Sequence, residues 1–207
     1  MSKLARLFRI LIVAVVALAA GVLSARYLSR PAGPEHALQL DSPRPLPSFT
    51  LRDHSGGVFD RASMEGHWTL IFFGFTHCPD VCPTTLHTLA GVLGALADLP
   101  SGSQPGVVMV SIDPIRDTPE KLAAYVPFFD PDFVGVTGDM ADIMTLTRNL
   151  GVAFSYGPVD GSDAYSVDHT ASIFLVDPEA RLAAVFGTPH AVADIARDYQ
   201  RIVEDAS

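Results

Sequence analysis

Of the 207 residues, 48% are hydrophobic and 18% charged. That balance excludes a disordered chain and suits one core-forming domain with an appendage. The net charge of −9 is unevenly placed: Lys3, Arg6, Arg9, Arg26 and Arg30 make residues 1–30 a +5 segment with no acid, which leaves −14 for the remainder. A body that acidic repels phosphate backbones, which argues against nucleic acid as a partner.

The first element is read as a membrane anchor, residues 1–28. Ile10 to Ala25 are 16 residues without a charge, preceded by Lys3, Arg6 and Arg9. A span needs about 17–25 residues. Leu7 and Phe8 extend the run if Arg9 reaches back to the headgroups. A cleaved signal peptide is the competing reading, with "ALA" at 17–19 as the cleavage site. Cleavage there would leave a short apolar core, Ile10 to Val16, so an uncleaved anchor is preferred. The basic end should stay in the cytoplasm. The expectation is a single-pass protein of the bacterial inner membrane with its C-terminal domain in the periplasm, where disulfides persist. Residues 29–46 hold most of a five-proline stretch that runs to Ser48 and read as an extended linker.

The body is expected over residues 47–207. "PSFTLRDHSGGVFD" reads as two short strands about Ser55-Gly56-Gly57. "HWTLIFFGF" is apolar on both faces, as a buried central strand is. After two cysteines, Leu86, Leu89, Leu93 and Leu96 recur at helical spacing. "GVVMVSID" is the next buried strand. "DTPEKLAAYVPFF" opens a helix with Asp117 or Thr118 as cap and Pro119 at its first position. "DMADIMTLTRNLGV" is a helix stopped by Gly151. "HTASIFLVDPEARLAAVFG" reads as a hairpin, and "AVADIARDYQRIVED" as the closing helix. The order predicts an α/β thioredoxin-like fold, a central mixed sheet flanked by helices, preceded by one N-terminal transmembrane helix.

Cys78 and Cys82 are the only cysteines, four residues apart where the buried strand gives way to the helix. A helix would place their Cα atoms about 6 Å apart, near the long end of the disulfide range of about 4.4–6.8 Å. The pair could therefore be a disulfide, a redox couple or half of a soft-metal site. So short a loop gives an inert staple little to stabilise. Of the seven histidines, His36, His54, His67, His77, His87 and His190 read as ordinary. His169 does not. In thioredoxin-like folds the segment entering the following strand lies against the cysteine helix. Redox members place a cis-proline and threonine there; here the dipeptide is His169-Thr170. Two thiolates and one imidazole suit Cu(I) and, with a further weak ligand, Cu(II). Zinc is a fair alternative by ligand type, although structural zinc sites have four protein ligands. "CPTT" after Val81 has a peroxidase flavour, but Pro79 stands where that reading needs Thr.

With "GFTHCPDVCPTTL", "VSIDPIRDTPEKL" and "VDHTASIFLVDP" in that order, the chain resembles the Sco/SenC family of thioredoxin-fold copper proteins that serve cytochrome c oxidase assembly. The resemblance runs from about Phe49 to Val203. It implies copper ligands at Cys78, Cys82 and His169, with Asp168 orienting or tuning the histidine from behind. Asp113, Pro114, Arg116 and Asp117 match the family loop and read as turn and capping residues. The implied function is a membrane-tethered copper metallochaperone that supplies the binuclear copper centre of cytochrome c oxidase. Implied partners are that copper-site subunit, other periplasmic copper chaperones and a thiol reductant. The alternative is a thiol–disulfide reductase that uses the Cys78–Cys82 disulfide and keeps the oxidase cysteines reduced; it has no need of His169.

Overall fold

The computed structural model describes residues 3–28, 33–158 and 165–206. It comprises two compact units, divided between Gly33 and Pro34. The first unit holds, among its described residues, the helix α1 (Lys3–Leu28). Its apolar side chains Phe8, Ile10, Leu11, Val13, Val16 and Leu18 are exposed. Among the described residues no helix is long and apolar enough to cross a membrane, so the structure does not bear out the expected N-terminal transmembrane helix.

The second unit is built on an eight-stranded mixed sheet. Its strands in chain order are β1 (Ala37–Pro45), β2 (Thr50–Asp53), β3 (Val58–Asp60), β4 (Thr69–Gly74), β5 (Gly106–Ser111) and β6 (Val134–Thr137). A separate hairpin, β7 (Phe154–Pro158) and β8 (Tyr165–His169), follows, and β9 (Ile173–Val176) and β10 (Arg181–Phe186) return to the sheet. The spatial order is β1-β10-β9-β4-β5-β6-β2-β3. β4, β5 and β6 run parallel, and β9 lies antiparallel to β4. The helices are α2 (Val81–Ala95), α3 (Pro119–Tyr125), α4 (Met140–Leu150) and α5 (Val192–Ala206). This is the expected thioredoxin-like arrangement.

The core sits on β4, where every residue is buried. Phe72 and Phe73 are fully enclosed there, each stabilising the fold by roughly 1.5–3 kcal/mol. α4 ends as expected at Gly151, whose φ of 78° is left-handed and free of a Cβ penalty. At the start of α3 the cap is Thr118, whose hydroxyl accepts the Lys121 N–H at 3.3 Å. Asp117, the other expected cap, is used elsewhere.

Three expectations are corrected. The linker is not free through residue 46: Ala37–Pro45 form edge strand β1 on β10, with an irregular register between Gln39 and Arg44. An edge tolerates Pro43 and Pro45 because only one side of the strand must supply ladder donors. Buried Asp198 on α5 also accepts the N–H groups of Glu35, His36 and Ala37 at 3.0, 2.6 and 2.8 Å. Second, β6 and the β7–β8 hairpin were not expected; they are short, and β8 buries only Val167. Third, α2 begins at Val81, not at Pro79. Cys78 therefore lies in the loop before the helix and Cys82 in its first turn.

Candidate metal centre

The late start of α2 shapes the sulfur side. A helix N-terminus leaves amides without partners, and the Asp80 side chain makes no capping bond. Instead the Cys82 N–H points at Cys78 Sγ, 3.4 Å away. Both cysteines are free thiols in this structure. Cys78 is half-buried and Cys82 fully buried. Burial pushes the Cys82 thiol well above the ordinary range, and its hydrogen bond and charge coupling to Cys78 add to that rise. Gly74 makes room for the buried sulfur: a Cβ there would lie 2.8 Å from Phe72 Cε1 and 2.9 Å from Cys82 Sγ.

His169 is the last residue of β8. Its Nδ1 lies 3.0 Å from the Thr170 carbonyl oxygen. A carbonyl only accepts, so Nδ1 carries the proton and Nε2 keeps its lone pair. Nε2 faces Cys82 Sγ at 3.4 Å. Phe72 and Phe75 flank the imidazole edge-on, with centroids 5.9 and 6.0 Å away. Burial lowers the His169 pKa below its usual value, against opposing effects of the Thr170 carbonyl and the Asp168 charge. The orienting role expected of Asp168 thus falls to Thr170. Asp168 is exposed, opposite Ser155 in the hairpin, and reaches the ring only through its field.

The ligand atoms of Cys78, Cys82 and His169 all lie within 4.8 Å of one another. Among the described residues this is the one such group that could hold a metal ion. Two sulfurs and a neutral imidazole form a soft donor set. Three other histidines do separate work: His54 Nδ1 accepts the Gly135 N–H at 2.9 Å, His36 pairs with Asp194 at 3.4 Å, and His87 meets Phe129 edge-on at 4.9 Å.

Sequence reasoning missed what holds the two sides. Asp117 is fully buried and accepts the Thr76 N–H, the Thr76 hydroxyl and the Ser111 hydroxyl at 3.0, 2.6 and 2.7 Å. It ties the cysteine loop to the end of β5. Asp113, also fully buried, accepts from Arg116 Nε and from the Tyr165 hydroxyl, the latter at 2.7 Å. It ties the loop after β5 to β8. The available signal was two acids and an arginine within six residues of a buried strand's end.

The SCO1/SenC family model matches residues 39–204. The chain is 35% identical over 153 residues to the mitochondrial SCO2 homolog of Mus musculus, covering 74% of this chain and 60% of that protein. It is 37% identical over 148 residues to the mitochondrial SCO1 homolog of Homo sapiens, covering 72% and 49%. The match therefore spans about half to three-fifths of those relatives' length. Among solved structures it is similar to Arabidopsis thaliana ScoI with copper bound, at TM-score 0.71 and 32% identity over 76% of this chain and 98% of that one. It is also similar to Bradyrhizobium japonicum ScoI with copper bound, at TM-score 0.68 and 35% identity over 76% and 99%. With the thioredoxin-like fold and the two-cysteine, one-histidine cluster already in place, these matches make the chain a member of the SCO1/SenC family.

Proposed function

We propose that the protein is a copper metallochaperone that binds copper through Cys78, Cys82 and His169 and delivers it to the binuclear copper centre of cytochrome c oxidase. The observation that carries this reading is the convergence of two sulfurs and an imidazole lone pair within 4.8 Å. The donor set suits Cu(I), and Cu(II) with a further weak ligand. The copper-bound relatives support the choice of metal. Thiolates must form as copper enters, so uptake releases protons and requires the reduced pair. Copper leaves by exchange onto a partner's sulfur and imidazole ligands. The partner is the oxidase copper-site subunit; other periplasmic copper chaperones and a thiol reductant act upstream.

Anchoring at the bacterial inner membrane, with the C-terminal domain in the periplasm, belongs to the same proposal. The uncharged run Ile10–Ala25 behind a basic N-terminus and the exposed apolar side chains of α1 support it. Retention of the full chain in carbonate-washed membranes is the expected result; release into the soluble fraction would remove this part.

The test of copper binding is stoichiometry on the reduced full chain, for the wild type and His169→Ala. The wild type should hold about one copper per chain, the number one three-ligand site can take, and the variant should lose affinity by orders of magnitude. Equal binding by the two proteins would remove His169 from the site. A thiol–disulfide reductase remains the second reading, favoured by one observation: Cys78 is a partly exposed free thiol beside a buried one. It takes first place if neither protein binds copper while the wild type reduces a disulfide.

A further inference from the structure

The two sides of the candidate site belong to different substructures. The cysteines follow β4 of the main sheet, whereas His169 sits on the β7–β8 hairpin, whose ladder is separate from that sheet. The backbone link is residues 170–172, which lead from His169 into β9, where Ile173 pairs with Phe72 of β4; side-chain contacts between the two sides set the rest of the register. Arg116 touches both. Its guanidinium stacks on the Tyr165 ring of β8, with Cζ 3.8 Å from the centroid, and faces the Phe75 ring at 5.7 Å. Phe75 in turn meets the His169 ring edge-on at 6.0 Å. Nη1 donates to the Tyr165 carbonyl oxygen at 3.0 Å, and Nε pairs with buried Asp113. Asp113 also accepts from the Tyr165 hydroxyl.

We propose that Arg116 is a positioning residue that clamps the histidine hairpin onto the cysteine loop and so sets the affinity of the site for a metal needing all three ligands. Planarity is what the place demands. A flat cation lies between two rings while its fork reaches a carbonyl on one element and a carboxylate on another; an ammonium is a compact point charge with no plane to stack and no rigid fork. The buried Nη2 has no acceptor among the described residues. A half-satisfied buried ion is a poor stabiliser of the fold, which fits retention for geometry. Removing groups that orient metal ligands typically costs about 10–100-fold in affinity.

This inference rests on the copper reading, so its test includes a measurement that needs no metal. Cu(I) affinity is measured by chelator competition on the full chain in detergent for the wild type, Arg116→Ala, Arg116→Lys, His169→Ala and the Arg116→Ala/His169→Ala double variant. Hydrogen exchange of the β8 amides is followed in the copper-free proteins. Arg116→Ala should weaken copper about 10–100-fold, and Arg116→Lys should restore little of it. The double variant should bind as His169→Ala does, because a residue acting through His169 has nothing left to act on. The β8 amides should exchange faster in Arg116→Ala, with the main sheet unchanged. Tyr165→Leu, which removes the ring beneath the guanidinium, carries the same test if Arg116→Ala does not fold. The proposal is overturned if Arg116→Ala binds copper as the wild type does, or if it weakens the His169→Ala background by the same factor. If the wild type binds no copper, the functional reading falls and exchange alone decides: faster β8 exchange keeps the clamp, and unchanged or global exchange removes it.

Discussion

The sulfur half of the site is continuous with the middle of the main sheet. Gly74 ends β4, the loop to Cys78 follows directly, and Cys82 is buried in the first turn of α2. The imidazole half rides on a two-stranded hairpin that buries a single β8 side chain, Val167. Backbone ladders, core packing and Asp117 therefore hold the sulfurs, whereas Phe72, Phe75 and the Asp113–Arg116 pair hold the imidazole side. Local opening costs least where few apolar contacts and few shared hydrogen bonds resist it. On that ground the β7–β8 amides should exchange with solvent before those of β4.

The sharpest way to break this contrast is Asp117→Ala. It strips the acceptor from the Thr76 amide, the Thr76 hydroxyl and the Ser111 hydroxyl. Leaving such donors unpaired should cost about 3 kcal/mol in a denaturant melt, and copper affinity should fall with it. A loss under about 1 kcal/mol, the scale of one ordinary hydrogen bond, would mean that the sulfur frame does not depend on this carboxylate. Gly74→Ala comes next. Its Cβ would press on Phe72 and on Cys82 Sγ, an overpacking worth about 1–3 kcal/mol. Exchange of the β7–β8 amides should be untouched, so a change there would show that the halves are coupled through the core. Tyr156→Phe removes the hydroxyl that bonds the Ile112 carbonyl. It should cost about 1 kcal/mol or less and be visible only in hairpin exchange.

The smallest effect is in the pH profile of the metal-free protein. Burial holds the His169 pKa below its unfolded value. Its contribution is therefore fully present above about pH 6.5 and is lost as pH falls through the lower folded value. Burial raises the Cys82 thiol, so its contribution is present below about pH 8.5 and is lost as pH rises toward the higher folded value. Stability measured from pH 5 to 10 should decline at both ends. His169→Ala should flatten the acid side alone, and Cys82→Ala the alkaline side alone. A variant that flattens the opposite side would refute the assignment.

Period and composition alone carried most of the main sheet. The apolar run of β4, the second run of β5, the turn at Ser55-Gly56-Gly57 and the Asp177–Ala180 hairpin are local signals, because burial on two faces or on one is written directly into side-chain order. The ligand set was legible for a related reason: a chain with two cysteines offers one place for sulfur chemistry, and His169 stands where the fold returns to it. The register of the site was not legible. Thr76 meets Asp117 across 41 residues, and Arg116 meets Tyr165 across 49. β1 was hidden by its prolines, and the start of α2 by a Pro79 that fits a first helical position equally well. The sequence by itself determined most of the elements, the core strand and the candidate cluster of Cys78, Cys82 and His169. The tertiary structure alone decided that Cys78 precedes the helix, that Thr170 rather than Asp168 orients the imidazole, and that the loop after β5 joins the two halves. Those outcomes depend on which distant polar groups find each other once water is excluded, and no local pattern encodes that pairing.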